Sequence, residues 1–444
     1  METPQITAPR LKPLAGLALT SLFAMGIQVD SNAQPALTDE QQAVMRAVSD
    51  GNGAALTLLE RVVNINSGTL NLDGVRQVGQ VFRSELDALG FTTQWVDGAR
   101  WGRAGHLVAD HPGPGPRVLL IGHLDTVFEK QSPFQRFERI DEHTARGPGI
   151  IDMKGGDVII VSALKALKAA GALARMNVVV VMNGDEELSG APLALARATL
   201  VTAANGARVA IGFEDGPGDP RFAVTARRSA SGWDLVVKGT PAHSSQVFRE
   251  DIGYGAIFEA ARILNGFRER LAGQPHLTFN PGAILGGTAV AYDAGTESGT
   301  ASGKSNVIAE HARVTGDIRA LSREQLEKAR ETMVEVVRGS LAGTAATLTF
   351  DDGYPPMAPT EGNARLLALY NQASMIIGAG PVTAVDPDRA GAADVSFIAD
   401  RVPMIIDGIG MPGRDGHTVN EPADLSKLPS QTGRAALLLL AVGQ

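Results

Sequence analysis

Residues 117–128 read RVLLIGHLDTVF, an apolar run that ends directly before His123 and Asp125. Three further runs of this kind follow along the chain, VVVVM at 178–182, ARVAIGF at 207–213 and PMIIDGIG at 403–410. Short β-branched runs are typical of strands that are buried on both faces of a sheet. In an open parallel sheet, ligands bind beyond the carboxyl ends of the strands. The polar residues that follow these runs therefore predict a site at that edge.

The segments between the apolar runs predict helices. Residues 41–64 and 155–170 have amphipathic or apolar patterns that alternate with the strands. This alternation predicts an α/β fold with a doubly wound mixed sheet. We expect a catalytic domain that comprises residues 34–224 and resumes at residues 351–444.

A different pattern begins near Thr225 and predicts an inserted domain. It indicates the order strand, helix, strand, strand, helix, strand, at residues 232–238, 252–271, 277–285, 311–321, 323–341 and 344–350. This βαββαβ order is that of a small ferredoxin-like domain, which we expect to form a lid over residues 225–350. Ser322 and Gln325 predict a capping box for its second helix. Residues 286–306, which are rich in Gly, Ser and Thr, predict a mobile loop.

Residues 1–33 have the pattern of a signal peptide. Arg10 and Lys12 precede an apolar run from Leu14 to Ile27, and small residues at 31–33 suit cleavage. The apolar run has 14 residues, fewer than the roughly 18 that cross a bilayer, so we expect no membrane association after the signal is removed. A periplasmic or secreted protein is predicted; the alternative is a disordered leader on a cytoplasmic enzyme.

The composition argues against a nucleic-acid-binding protein and against disulfides or thiolate metal sites. The chain has 48 acidic and 40 basic residues and a net charge of -8, without a dense stripe of Lys and Arg. We therefore expect no nucleic-acid partner, because such partners require a basic surface that neutralises phosphates. The chain has no cysteine, so disulfides and thiolate metal sites are excluded.

Six residues with metal-binding or acid–base chemistry stand at or near the predicted strand ends: His123, Asp152, Glu186, Glu187, Glu214 and His417. One such residue alone is usually a helix cap or a surface group, and only their joint occurrence is specific. Imidazole and carboxylate ligands without thiolates favour zinc. A pair of metal ions needs a bridging carboxylate and terminal ligands on each side. Five of the six residues are enough for such a centre, and one Glu remains free. Asp125 is placed to accept a hydrogen bond from the second imidazole nitrogen of His123.

These motifs resemble the dinuclear zinc peptidase and deacylase family of carboxypeptidase G, aminoacylase-1, peptidase T and succinyl-diaminopimelate desuccinylase, over residues 45–440. The resemblance implies two Zn2+ ions per chain, for which Co2+ or Mn2+ can substitute, and a homodimer formed through the lid. It also implies a role for each ligand: Asp152 bridges the ions, His123 and Glu214 complete one site, and Glu187 and His417 complete the other. Glu186 is then the general base for a metal-bridged hydroxide that attacks the scissile carbonyl.

The resemblance also indicates residues that bind the substrate. His243 in GTPAHSS is similar to the family histidine that hydrogen-bonds the oxyanion or the substrate carbonyl, in its own subunit or in its partner. Asn306 and Arg319 are similar to residues that hold a free carboxylate, a task for which a guanidinium group is suited. Arg389 stands in RAGAAD at 389–394, which resembles an R-x-G-x-x-D stretch of carboxypeptidase G. The alternative for each is an ordinary structural role in a loop or strand.

We expect a hydrolase that cleaves the amide bond next to the free carboxylate of a C-terminal amino acid, glutamate-like or aromatic, in a small peptide. The alternative among enzymes is an amidase for N-acyl amino acids that uses the same metal centre. The alternative from another class is a binding protein on an inactive peptidase fold. The complete set of ligands and the base in the sequence argue against it.

Overall fold

The computed structural model describes residues 37–444. The predicted signal peptide at residues 1–33 lies outside this range. No helix within residues 37–444 is long and apolar enough to cross a membrane. The helices in this range are α1 (Asp39–Val63), α2 (Leu72–Leu89), α3 (Lys154–Ala169), α4 (Leu193–Ala196), α5 (Ala198–Ala203), α6 (Ala256–Leu271), α7 (Arg323–Arg338), α8 (Glu361–Ile376) and α9 (Leu428–Val442).

The strands of the same part of the chain form one large sheet, one four-stranded lid sheet, one three-stranded sheet and two short pairs. They are β1 (Thr92–Asp97), β2 (Gly105–His111), β3 (Arg117–His123), β4 (Glu138–Arg139), β5 (Thr144–Arg146), β6 (Asn177–Asn183), β7 (Val209–Gly212), β8 (Phe222–Ala223), β9 (Ala230–Gly239), β10 (Thr278–Gly287), β11 (Ala289–Asp293), β12 (Ser298–Ser302), β13 (His311–Arg319), β14 (Thr344–Tyr354), β15 (Thr383–Ala384), β16 (Ile405–Ile406) and β17 (Pro422–Asp424).

The large sheet has the strand order β1-β2-β6-β3-β7-β16. Strands β6, β3, β7 and β16 are parallel, whereas β1 and β2 form an antiparallel edge. Successive residues of a strand point to opposite sides of the sheet. Each side of this sheet is covered by its own apolar core. Val118 and Leu120 pack in one core with α1, α2, α3, α8 and α9, while Leu119 and Ile121 pack in a second core with Leu200 of α5. The predicted doubly wound mixed sheet is confirmed.

The segment predicted to form the lid, for which we keep that name, has its own antiparallel sheet, in the order β10-β13-β9-β14, with α6 and α7 packed on it. Along the chain its elements follow the predicted βαββαβ order. Trp233 of β9 and Phe267 of α6 meet edge to face in this core, with ring centroids 5.8 Å apart. The last strand continues to Tyr354, four residues beyond the predicted end at Phe350.

Two details of the lid differ from the sequence predictions. Residues 286–306 are not an irregular loop, because β11 and β12 pair as a hairpin between Ala289 and Ser302. The guanidinium of Arg313 lies 4.5 Å from the ring centre of Tyr292 and supports this hairpin. At the start of α7, Ser322 Oγ accepts from the Gln325 amide as expected, but the Gln325 side chain accepts from the Leu321 amide, not from that of Ser322.

The two segments that connect the lid to the large sheet lie side by side. Arg227, on the way into the lid, exchanges two backbone hydrogen bonds of 2.9 Å with Met357, on the way out. The chain between Tyr354 and Met357 consists of Pro355 and Pro356, whose rings restrict the backbone. Entry and exit of the lid are therefore held at one place on the catalytic domain.

Candidate metal centre

The parallel strands bring the predicted ligands to one edge of the large sheet. His123 is the last residue of β3, Glu186 and Glu187 follow β6 within four residues, and Glu214 follows β7 within two. Asp152 precedes α3, which packs across these strands. The convergence follows from strand polarity, because the carboxyl ends of neighbouring parallel strands lie at the same edge.

Asp152 lies between the two histidines. Its Oδ1 is 3.0 Å from Nε2 of His123, and its Oδ2 is 2.8 Å from Nε2 of His417. Glu214 Oε1 is 3.6 Å from the nitrogen of His123, and Glu187 Oε2 is 3.2 Å from that of His417. The five side chains thus form two groups of three that share Asp152.

The donor set fits two divalent metal ions. Each group offers one imidazole nitrogen and carboxylate oxygens, which suit zinc and similar transition metals. Glu187 Oε1 is buried and has no hydrogen-bond donor among the described residues. Asp152, Glu186, Glu187 and Glu214 all line a cavity of about 150 Å³. Such a concentration of carboxylates requires compensating positive charge.

The pKa values reflect this concentration of charge. Burial raises the pKa of Glu214 to about 7, and burial together with Asp394 and Glu214 raises that of Glu186 well above its usual range. Burial disfavours the charged form of His123, but the carboxylates of Glu214 and Asp125 outweigh it and raise its pKa. Hydrogen bonds to Asp152 and Glu187 raise the pKa of His417 to about 11. Bound metal ions would replace these protons, since a ligating imidazole must be neutral.

Asp125 connects the histidine to the Glu pair. Its Oδ1 lies 3.4 Å from Nδ1 of His123, and its backbone carbonyl lies 3.1 Å from the same nitrogen. The carboxylate also accepts from the amides of Glu186 and Glu187, at 3.0 and 3.1 Å. One fully buried carboxylate therefore orients His123 and holds the backbone of both glutamates, where the sequence indicated only the histidine contact.

The predicted substrate residues lie in two places. Arg389 lines the same cavity as Glu186. His243 and Asn306 lie together in the lid, because Ser244 donates to the Asn306 carbonyl at 2.9 Å, but neither lines this cavity. Arg319, at the end of β13, also lies outside the cavity lining and donates to Asp317 Oδ2 at 2.9 Å.

Two residues of this centre were not identified from the sequence. Arg227 is 4% exposed and lines the cavity, and its Nε donates to Asp407 Oδ2 at 2.9 Å. Asp407 Oδ1 accepts from the Glu214 amide at 3.3 Å. Asp407 directly follows β16, so its position at a strand end was the available signal. This pair holds the backbone of Glu214 as Asp125 holds that of the other glutamates.

A buried ionic network supports the loop that carries the Glu pair. Arg197 Nη1 lies 2.7 Å from Asp185 Oδ1, and its Nε lies 2.8 Å from Asp394 Oδ1. Asp394 also accepts from the side-chain amide of Asn183 at the end of β6. The first and last residues of the RAGAAD stretch therefore lie in different places. Arg389 lines the cavity, whereas Asp394 is buried in this network.

Replacing Arg197 by Leu should lower the free energy of unfolding by about 3–5 kcal/mol, because it leaves two buried carboxylates without their cation. Chemical denaturation of both proteins measures the difference. Arg221→Ala is the control, because the pair between Arg221 and Asp219 is exposed and should contribute little. Equal effects of the two changes would contradict the structural role of Arg197.

His106 should make the protein less stable in acid. It is fully buried, its Nε2 lies 2.8 Å from the Ala196 carbonyl, and its Nδ1 accepts from the Gly184 amide. Burial, assisted by Arg197, lowers its pKa from 6.5 to about 4. The unfolded chain therefore binds a proton at His106 at a higher pH than the folded protein does. The free energy of unfolding should fall by up to about 3 kcal/mol as the pH drops from about 6.5 to about 4.

Denaturation curves recorded across this pH range test the role of His106. The variant His106→Gln has no group that titrates there and should lose less stability than the parent on acidification. The same loss in both proteins would assign the acid sensitivity to other groups.

A mixed α/β sheet with two adjoining His–carboxylate groups at the carboxyl ends of its strands fits an enzyme that uses two metal ions, such as a metal-dependent hydrolase. The sequence model of peptidase family M20/M25/M40 matches residues 119–441. The chain therefore belongs to this family and is a metallopeptidase, which confirms the family resemblance inferred from the motifs.

The relatives agree with this assignment. The chain is 26% identical to carboxypeptidase G2 of Pseudomonas sp. (strain RS-16), over 99% of both chains. Aminopeptidase PepT from Bacillus cereus has a similar structure, with a TM-score of 0.71 at 18% identity over 88% of this chain and 99% of its own. A dinuclear metal-binding M20 peptidase from Bacillus subtilis has a TM-score of 0.62 at 16% identity, over 89% of this chain and 99% of its own.

Proposed function

We propose that the protein is a zinc-dependent carboxypeptidase that removes a C-terminal amino acid, glutamate-like or aromatic, from small peptides. The observation that carries this proposal is the arrangement around Asp152, with two ligand groups that share one carboxylate and Glu186 outside both groups in the same cavity. The similarity to carboxypeptidase G2 supports the carboxypeptidase assignment.

Two metal ions held by His123, Asp152, Glu187, Glu214 and His417 would supply Lewis acidity for the scissile carbonyl and lower the pKa of a water molecule. The chain itself moves the proton. Glu186 accepts it from the attacking water and delivers it to the leaving amine, a task suited to a carboxylate that is not tied to a metal. Asp125 holds the amide of Glu186 at 3.0 Å during this transfer.

Arg389 binds the free carboxylate of the substrate in this proposal. It lines the cavity that also holds Glu186, and the fork of a guanidinium group is suited to bidentate binding of a carboxylate. His243, Asn306 and Arg319 belong to the lid and would reach the substrate when the lid closes or from a partner subunit. His243 would then donate a hydrogen bond to the developing oxyanion.

A homodimer formed through the lid is part of the proposal. Phe248 and Phe258 are 57% and 52% exposed on the lid, and Phe248 also packs against Tyr254. Exposed apolar clusters of this kind mark interaction surfaces. Sedimentation should give the mass of two chains, and Phe258→Asp should give monomers; a monomeric parent would exclude the dimer.

A substrate panel tests the reaction. It comprises dipeptides with C-terminal Glu or Phe, folate-like glutamate conjugates and the corresponding simple N-acyl amino acids. Release of the C-terminal amino acid from the peptides and conjugates is expected. Hydrolysis confined to simple acyl groups would instead identify an amidase for N-acyl amino acids.

Metal analysis tests the cofactor. We expect about two Zn2+ per chain after gentle purification. Chelation should abolish activity, and Zn2+ should restore it, with Co2+ or Mn2+ as substitutes. Chains that turn over substrate fully with another resident metal would overturn the zinc assignment.

We also propose export to the periplasm or the medium, on the basis of the pattern in residues 1–33. The test is fractionation of expressing cells, followed by N-terminal sequencing of the mature protein. Full-length chain recovered only from the cytoplasm would contradict it.

A further inference from the structure

Tyr354 stands where the last lid strand ends and the chain returns to the catalytic domain. Its hydroxyl donates to the backbone carbonyl of Glu186 at 2.8 Å. Its oxygen accepts from Nη2 of Arg197 at 2.9 Å. Because the hydroxyl has a single proton, the bond from Arg197 directs that proton toward Glu186.

The surroundings keep this hydroxyl in one position. The ring of Tyr354 packs against Phe397, with centroids 4.9 Å apart. Arg197 is itself fixed by Asp185 and Asp394. A phenol between a fixed ring neighbour and a fixed guanidinium has little freedom to turn away from Glu186.

The peptide groups of Glu186 are thus held from two domains. Asp125 of the catalytic domain accepts from its amide at 3.0 Å, and Tyr354 of the lid donates to its carbonyl at 2.8 Å. Pro355 and Pro356 follow Tyr354 in the chain and restrict its backbone. Met357 comes next and is paired with Arg227. The end of the last lid strand therefore supplies one of the two anchors of the Glu186 backbone.

We infer that Tyr354 is a positioning residue for the reaction, which holds the backbone of Glu186 in place from the end of the last lid strand. The inference rests on the proposed role of Glu186 as general base. A shift of about 1 Å in a reacting group can lower the rate about 100-fold, so loss of one of two backbone anchors has a measurable effect on kcat.

The test is Tyr354→Phe, which keeps the ring and its packing and removes only the hydroxyl. We expect kcat to fall roughly tenfold, with KM, metal content and the thermal midpoint close to those of the parent. Tyr370→Phe is the matched control, because Tyr370 is a buried tyrosine in α8, in the core on the other side of the large sheet. Its kcat should not change. An unchanged kcat in Tyr354→Phe would overturn the inference.

A double variant separates positioning from a general structural effect. If Tyr354 acts through Glu186, adding Tyr354→Phe to Glu186→Gln should reduce the residual kcat by less than about twofold, since residues that act as a unit are not additive. A full further loss would show that Tyr354 acts elsewhere and would overturn the inference. Failure of the proposed function is distinguishable, because Glu186→Gln alone would then leave kcat unchanged.

Discussion

Replacing Glu186 by Gln should lower kcat by about 10²- to 10⁴-fold, the usual contribution of a general base. The change is isosteric, and Glu186 belongs to neither ligand group around Asp152. Metal content and KM should therefore remain close to those of the parent. Steady-state kinetics on a C-terminal glutamate peptide, with metal analysis of the same preparation, measures both quantities.

The neighbouring residue provides the matched control. Glu187→Gln alters the oxygen that lies 3.2 Å from His417 Nε2, so it should lower the occupancy of one metal site. Glu186→Gln would then affect turnover alone, whereas Glu187→Gln would affect the metal content. Full activity in Glu186→Gln, or loss of metal from it, would remove its assignment as base.

Replacing Asp152 by Asn should weaken both metal sites and abolish turnover. The two oxygens of Asp152 lie 3.0 Å from His123 Nε2 and 2.8 Å from His417 Nε2, so this carboxylate belongs to both groups. An amide offers one oxygen and no charge, and it cannot bridge two cations in the same way. Metal content after dialysis against a weak chelator should fall from about two ions per chain to well below one.

Glu214→Gln distinguishes a bridging ligand from a terminal one. Glu214 lies near His123 alone of the two histidines, at 3.6 Å, so its loss should affect one metal site and leave the other occupied. Equal metal loss in the Asp152 and Glu214 variants would argue against a bridging role for Asp152.

Local patterns were sufficient to predict the sheet and the edge of it at which the candidate ligands meet. The apolar runs at 117–122 and 178–182 are strands with both faces buried, so their character is visible without any tertiary information. The ligands follow those strands closely, and strand polarity alone brings them to one edge. The lid order was predicted for the same reason, since its helices and strands have clear periodicities.

The hydrogen bonds by which distant residues support the candidate ligands were not predicted. Tyr354 and Glu186 are 168 residues apart, and Asn183 and Asp394 are 211 apart. Neither pair has a local signature, because a buried polar group is recognisable only from the partner that satisfies it. The β11–β12 hairpin was missed for another reason. Its strands are rich in small residues that are common in loops, and pairing between them depends on cross-strand contacts.

The paired backbones of Arg227 and Met357 hold the two ends of the lid side by side. The ends of the insertion are already one hydrogen bond apart, at 2.9 Å, so the catalytic sheet does not depend on the lid to bring residues 227 and 357 together. Closure entropy rises only slowly with the length of an inserted segment. A longer or shorter insert between residues 228 and 353 should therefore be accommodated, while Tyr354 and the residues predicted as metal ligands, which all lie outside that range, keep their scaffold.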